Sequence, residues 1–515
     1  MNKFVASICL VVASGATICA ANAQQRARLP LGPDGLTQKV TEARLAPGLT
    51  LTYVVRGQSN PQDGYAVDVP FNTDQATVSA TAAALTAAGF NPQVINIKPP
   101  QDATQGFFGA VVRVGVYATQ ALADSMVRTL ALKNFTNITT DYTGFNGFQT
   151  TTGPWVINIV NLDPARFQGT IGPVRSNVPE GREITSSIAQ RTNALVATNG
   201  GYFVIGIADG TPGAPVGISA IHGRVYHEAT VGRSSFGFLS NGQSLIEQFK
   251  TAIYAHDGLK AEEQAFGENR RPGIQRDCGG PEEELPSNQP RQDFNCTLPD
   301  DLVLFTPLFG PTTDAGTATI EAVLDAENRV VSTSDGGNIT IPPHGSVLAA
   351  LGSKAKWLRK YANPGSRLFV TRGVVTGSGQ PLNPQLDFNL VNGGPHLVVN
   401  GRVNIDATAE GFAYALPGNS NEYYGFGLSR NPRTLAGRTT NGHLLLVTVD
   451  GRQPGYSVGL SFDESANLMV ALGADQAINL DGGGSTTIAV GGQLFNQPSD
   501  ATGERPVGEA IVIKP

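Results

Sequence analysis

Residues Ala477–Val490, AINLDGGGSTTIAV, set an aspartate, a run of glycines and three hydroxyls between two apolar stretches that read as buried strands. Consecutive glycines are costly in conformational entropy, so a turn that keeps three of them needs close approach of backbone or unusual dihedrals. An ordinary tight turn uses one or two. Similar junctions recur. ALVATNGGYF reaches Asn199, Gly200 and Gly201; HLLLVTVDGRQPGYS reaches Asp450, Gly451 and Arg452; NLVNGGPHLVVNG carries Asn392, Gly393 and Gly394; SDATGERPVGEAIVI sets Glu504 and Arg505 before a last strand. Taken singly, Asp-Gly and Asn-Gly are plain turn chemistry. Together they predict short Val/Ile/Leu strands whose ends converge on one site, with glycines opening backbone N–H groups to an anion.

Composition narrows the partners. The chain has 515 residues, 40% of them hydrophobic and 15% charged, with 61 glycines and 33 prolines, which suits a turn-rich β or mixed protein with a large core. A net charge of -6 without a dense basic patch argues against a nucleic-acid partner. The start, MNKFVASICLVVASGATICAANAQQ, has the order of a signal peptide: a lysine, an apolar stretch, then Ala21-Asn22-Ala23 before a cleavage point. No later stretch is apolar enough to span a bilayer. The expectation is a protein exported by a bacterium, periplasmic or secreted, with no transmembrane segment. Removing residues 1–23 leaves Cys278 and Cys296 of the 4 cysteines, which an oxidising compartment pairs into a disulfide closing a surface insertion, 278–296.

The expected fold class is α+β: a β-rich mixed catalytic domain with few helices, preceded by a small two-repeat βαβ module. Residues 24–47 read as a linker. Over 48–145, GLTLTYVVRG, DQATVSATAAALTAAGF and PQVINI are followed by GAVVRVGVYAT, QALADSMVRTLALKNF and TNITTDY, twice strand, helix, strand. VVRVGVYATQALADSMVRTL resembles the second half of a SPOR domain, which implies binding to peptidoglycan glycan; the alternative is a packing or lid module. From residue 152 onward strands dominate. One helix is predicted from Ser461, with Ser461 and Glu464 at capping-box spacing, Leu468, Met469 and Leu472 as its stripe and Gly473 at its end. A second is predicted around HGSVLAALGSKAKWLRKY.

Several chemistries are excluded. There is no HExxH, and the 6 histidines are scattered without ligand spacing, so a lone one such as His396 reads as a core or rim residue. There is no G-x-S-x-G elbow. GGGSTT has no lysine before Ser485 and is followed by a strand, which removes Walker-type and dinucleotide-loop readings.

NGGYF, DLVLFTPLFGPTT, NGGPHLVVNG, the run from NPRTLAGRTT to LDGGGSTTIAV and NQPSDATGERPVGEAIVI occur in an order that resembles the phosphodiester glycosidase family over about residues 152–515. The resemblance implies hydrolysis of the bond between a sugar anomeric carbon and a phosphodiester oxygen, as in a GlcNAc-1-phosphodiester. A phosphate leaves readily, so the transition state chiefly needs a carboxylate for the developing oxocarbenium ion or the attacking water, and donors for the phosphate. Asp481 is the first candidate for that carboxylate, with Asp450 or Glu504 as partner. Arg433, Arg452 and Arg505 are candidates for the phosphate. Gly482, Gly483, Gly484, Ser485 and Thr486 would offer N–H groups and hydroxyls, and Asn199 with Gly200 would orient sugar or water. No cofactor is identified and no metal ligand set is visible, although a hard divalent cation could assist such a pocket. Two other classes fit parts of the pattern: a non-catalytic carbohydrate or peptidoglycan binder, and a phosphodiesterase cutting P–O.

Overall fold

A mostly apolar run short enough for a strand is satisfied when both faces are covered, and WVINIVNL (Trp155–Leu162) and LLLVTV (Leu444–Val449), buried along nearly all their length, are such runs. In the computed structural model, which describes residues 28–177, 181–239, 242–258, 262–265, 267–279, 290–316, 318–382, 387–413 and 422–515, these two pair antiparallel inside an eight-stranded sheet. The expected export signal lies outside the described residues. The sheet runs in the order Gln38–Ala46, Leu49–Arg56, Trp155–Leu162, Leu444–Val449, Arg433–Thr439, Ala474–Asn479, His396–Val399 and Arg402–Val403.

Alternation gives each strand two apolar faces. Trp155, Ile157, Ile159, Leu445, Val447 and Val449 enter one core with Phe462, Ala466, Leu468 and Met469 of a helix. Val160, Leu162, Leu444 and Leu446 enter a second core with Val196, Ile488, Ile511 and Ile513. Those last four belong to a five-stranded sheet in the order Gln493–Leu494, Ile488–Val490, Val196–Asn199, Glu509–Lys514 and Thr170–Arg175. Each fully buried aliphatic side chain stabilises this packing by about 1.5–3 kcal/mol. Two further sheets, built largely between residues 219 and 376, extend the strand-rich body. The fold is therefore β-rich α+β.

Five α-helices occur among the described residues: α1 (Gln75–Ala87), α2 (Gln120–Ala131), α3 (Thr185–Arg191), α4 (Gly352–Tyr361) and α5 (Phe462–Ala471). In α5 the capping box closes as expected: Glu464 N–H donates to Ser461 Oγ at 3.2 Å and Ser461 N–H to Glu464 Oε2 at 3.0 Å. Gly473, at φ +88°, ends the helix. The second expected helix begins later than its pattern suggested, because Ser346–Ala350 is a strand between Leu302–Phe305 and Ile320–Leu324.

The N-terminal organisation also differs from expectation. Residues 38–46 are not linker but an edge strand, and Leu49–Arg56 is not the module's first strand, since it pairs residue for residue with Trp155–Leu162. The module's own first strand is Tyr65–Asn72. With α1, Gln93–Ile97, Gly109–Tyr117, α2 and Thr139–Tyr142 it makes a βαββαβ unit. Its antiparallel sheet has the order Gln93–Ile97, Gly109–Tyr117, Tyr65–Asn72, Thr139–Tyr142, the split βαβ arrangement. The module is thus an excursion between two neighbouring strands of the large sheet.

Trp155 is fully buried where those neighbouring strands meet. Trp155→Ala is expected to cost about 3–5 kcal/mol, read as a lowered urea midpoint with unchanged slope; a loss under 1 kcal/mol would mean that this core does not hold the sheet.

Candidate active site

The LDGGGSTT turn leaves the strand Ala474–Asn479 and is pinned from below by one amide. Asn199, fully buried, accepts from Thr434 Oγ1 at 2.6 Å and from Thr487 N–H at 3.1 Å, and its Nδ2 donates to Asp481 O at 2.7 Å. It joins three chain segments and presents no polar group to a ligand, so the expected role in orienting sugar or water is not the one its geometry serves. The glycines answer to their neighbours. A Cβ on Gly482 would stand 2.8 Å from Pro432 O; Gly483 has φ +58° and lies against the Arg452 guanidinium; a Cβ on Gly484 would stand 2.1 Å from Asp500 Oδ1 and 2.2 Å from Arg505 Nη2. Backbone approach to the Pro432 carbonyl and to two arginines is why this turn keeps three glycines.

Above the turn is a cavity of about 170 Å³. Asp481, Gly482 and Gly483 form one wall, with Arg452 and Arg505 beside them. Tyr202, Phe203, Ile205 and Val216 supply an apolar wall, and Glu422 and Phe426 another. Arg276, Asp277, Gln292 and Asp293 complete it. Those last residues flank or lie within the segment closed by the Cys278–Cys296 disulfide, whose Cα atoms are 5.9 Å apart. Both cysteines are buried, and the described residues beside them bring Asp277 and Asp293 to the cavity, where a surface insertion was expected.

Burial dominates the electrostatics. It pushes the Asp481 carboxyl up to about 6, against the lowering influence of the Ser485 hydroxyl, Arg505 and the Gly482 N–H at 2.8 Å. Ser485 lies against the carboxylate without good hydrogen-bond geometry. Burial, then Asp293 and Asp277, push Glu422 up to about 7, with Arg433 and Arg276 opposing. Burial likewise raises Asp277 to about 6, although Arg233 Nη1 reaches its Oδ2 at 3.1 Å. Arg452 sits at φ +56°, a strained region for a long side chain. Among the described residues only its Nε is engaged, donating to Asn431 Oδ1 at 2.8 Å, which leaves its outer nitrogens for a ligand. Arg505 is held by Asp500 through two bonds of 2.9 and 3.1 Å.

Of the residues singled out in the sequence, the cavity collects Asp481, Gly482, Gly483, Arg452 and Arg505. Gly484, Ser485 and Thr486 form the layer beneath it. Gly200 is packed against Glu509. Three candidates face elsewhere. Asp450 accepts from Asn496 Nδ2 and Tyr456 OH, each at 2.8 Å, and from Gln497 N–H at 3.2 Å, anchoring that loop. Glu504 spends both oxygens on Ser186 of α3, at 3.0 and 2.6 Å. Arg433 is buried between Phe426 and Phe462, 4.4 and 4.6 Å from their ring centres, donating to Leu460 O at 2.8 Å and to Phe426 O. It holds an aromatic wall in place rather than a phosphate. Sequence reasoning missed Glu422, Asp277, Asp293, Arg276 and the aromatics. For the two aspartates the signal was at hand, since they adjoin the paired cysteines.

His396, Asp406 and Glu410 bring ligand atoms within 4.8 Å of one another, the one such group among the described residues. It is not part of the cavity lining, and Glu410 already accepts from Ser234 N–H at 3.0 Å, Ser234 Oγ at 2.6 Å and His396 N–H at 3.1 Å.

The site is thus a strand-end cavity with buried carboxyls, aromatic walls and arginine nitrogens that no described residue engages. Residues 318–514 match the family model for phosphodiester glycosidase. The chain belongs to one family with a Burkholderia pseudomallei "Putative exported protein" of known crystal structure: it is 35% identical, the match covers 96% of this chain and 100% of that one, and the TM-score is 0.85. It is also 37% identical over 84 residues to the SPbeta prophage-derived uncharacterized protein YomE of Bacillus subtilis, 16% of this chain and 13% of that one. To the bovine N-acetylglucosamine-1-phosphodiester alpha-N-acetylglucosaminidase it is 40% identical over 68 residues, 13% of this chain and 12% of that one. The chain thus spans only about an eighth of the length of these two curated relatives.

Two outcomes are expected. Gly484→Ala should break the Arg505–Asp500 seat and cost about 1–3 kcal/mol, seen as a lower denaturation midpoint; unchanged stability would mean that the pair is not held there. Second, Asp277, Asp450 and Asp481 sit at about 6 and Glu410, Glu422 and Glu509 at about 7, all raised by burial. Unfolded, these groups titrate near pH 4, so between about pH 4 and 7 the native state holds more protons and stability falls as pH rises. Glu228 and Glu321, also raised to about 7, act in the same direction, and His227, lowered to about 4 by burial, opposes them as one group against eight. The melting temperature should therefore be higher at pH 5 than at pH 7.5; the reverse order would contradict the burial of these carboxyls.

Proposed function

We propose that the cavity hydrolyses the sugar C1–O bond of a glycosyl-1-phosphodiester, GlcNAc-1-phosphodiester being the first substrate to test. One observation carries this: Asp481 stands at a strand end beside both the Arg452 nitrogens that no described residue engages and the braced Arg505. The phosphodiester binds to these guanidiniums, and the sugar rests against Tyr202, Phe203 and Phe426. Asp481, ionised above about pH 6, takes a proton from water as its oxygen bonds to C1. The C1–O bond to phosphate breaks and its electron pair leaves with the phosphate, to which Glu422, neutral below about pH 7, gives a proton. Sugar and phosphomonoester are the products.

The similar exported protein, the N-terminal apolar stretch and the disulfide support export, to the periplasm or beyond it. The resemblance of residues 111–130 to a SPOR domain, with the split βαβ topology, supports contact with peptidoglycan glycan. The family match and the presence of Asp481 and Glu422 in the cavity weigh against a pure binding protein.

The test is product analysis in H₂¹⁸O with chelator present. Free GlcNAc carrying the label at C1 is expected; label in phosphate with GlcNAc-1-phosphate released would mean P–O cleavage and overturn the mechanism. Asp481→Asn should lower kcat by at least about a thousandfold with the fold intact. The pH–rate profile should be a bell with limbs near 6 and 7, and Glu422→Gln should remove its alkaline limb; a profile flat from pH 5 to 8 would exclude this pair as base and acid.

A further inference from the structure

Glu422 and Phe426 reach the cavity from a π-helical turn, Tyr423–Leu428, a form of backbone that rarely persists without outside support and is frequent at functional sites. Residues 422 and 426 share one side of such a turn, which leaves Tyr423 and Tyr424 to face another way. There the N-terminal module meets them. Phe71, from the strand Tyr65–Asn72, stacks on Tyr424 with ring centres 5.0 Å apart and planes 15° apart. Phe108 meets Tyr423 edge-on at 5.8 Å, and Phe71 and Phe108 touch at 5.6 Å. Phe148, just after the module, stacks on the same Tyr424 at 6.4 Å.

Both flanks of the segment are tied to the module as well. Asp102 Oδ2 accepts from Thr408 N–H at 2.7 Å and Ala409 N–H at 3.0 Å. Beyond the turn, Arg430 donates to Gly144 O at 3.0 Å, Asn146 O at 2.9 Å and Gln149 O at 2.8 Å, while pairing with Glu464 at 2.8 Å.

We propose that the split βαβ module is a working part of the site: Phe71 and Phe108 are positioning residues that hold the turn carrying Glu422 and Phe426 against the cavity. Aromatic contacts of this kind are favourable beyond the area they bury, which lets them select one arrangement of a short irregular turn. The module's packing thereby sets where an acid group stands, whatever else its outer surface binds. This inference rests on the catalytic reading above for its kinetic arm only.

The experiment is the pair Phe71→Ala/Phe108→Ala in the full chain, with Phe71→Leu/Phe108→Leu in case the first does not fold. Amide hydrogen exchange at 422–430 should quicken at least tenfold while the strand Arg433–Thr439 keeps its protection. On a GlcNAc-1-phosphodiester, kcat should fall about tenfold to a hundredfold, with KM changed less and the alkaline limb weakened toward that of Glu422→Gln. Unchanged exchange at 422–430 overturns the proposal, as does quickened exchange with unchanged kcat and pH profile. A wild-type protein inactive on that substrate removes the catalytic reading instead, and exchange alone then decides the clamp.

Discussion

Everything in the site depends on the bonds of the Asn199 side chain. Its carbonyl oxygen holds Thr434 and the backbone of Thr487, and its amide holds the backbone carbonyl of Asp481. A strand of the five-stranded sheet is thereby fastened to a strand of the eight-stranded one at the place where the glycine turn crosses between them. Asn199, Thr434 and Thr487 are shut away from water, and a buried polar group left unpaired costs more than an ordinary hydrogen bond contributes. The turn is consequently rigid where it must be. Asp481 points where two sheets agree to put it, and the space for the arginines is defined by the absence of side chains on Gly483 and Gly484.

Rigidity has an electrostatic counterpart. Asp277, Asp481 and Glu422 are close to one another and poorly hydrated, a costly arrangement if all are charged at once. Protons, together with Arg452, Arg505, Arg276 and Arg433, share the work of neutralisation. Arg452 is the telling member: it occupies left-handed backbone, is fixed at Nε by Asn431, and is left with nitrogens that the described residues do not use. Strain and unused donors in one side chain are features a protein retains where a ligand completes the arrangement.

Much of this was legible in the sequence because it follows from local cost. Three glycines beside Asp481 demanded a reason; Ser461 and Glu464 announced a helix start; two cysteines in a chain read as exported announced a bridge. What was not legible depends on distant pairing. Leu49–Arg56 alternates equally well for the module's sheet or for the large one, and only its register with Trp155–Leu162, across the whole module, decides between them. Tyr65–Asn72 was masked by polar neighbours. Asp450, Glu504 and Asp481 look alike as carboxylates next to glycine, and what separates them is whether Asn496, Ser186 or an open cavity receives their oxygens. Glu422 had no motif at all, since its place comes from aromatic packing with a module more than three hundred residues earlier.

The strand Glu509–Lys514 lies between Val196–Asn199 and Thr170–Arg175 and pairs with both. It is translated after every strand it touches, yet it sits inside its sheet rather than at an edge. Until it emerges, the strand bearing Asn199 lacks a neighbour and the second core lacks Ile511 and Ile513. Pairings this far apart in sequence make for slow folding, because loop closure is costly before contacts repay it. The body of this protein is thus a late and collective product of synthesis: its second core closes only after Glu509–Lys514 has been made.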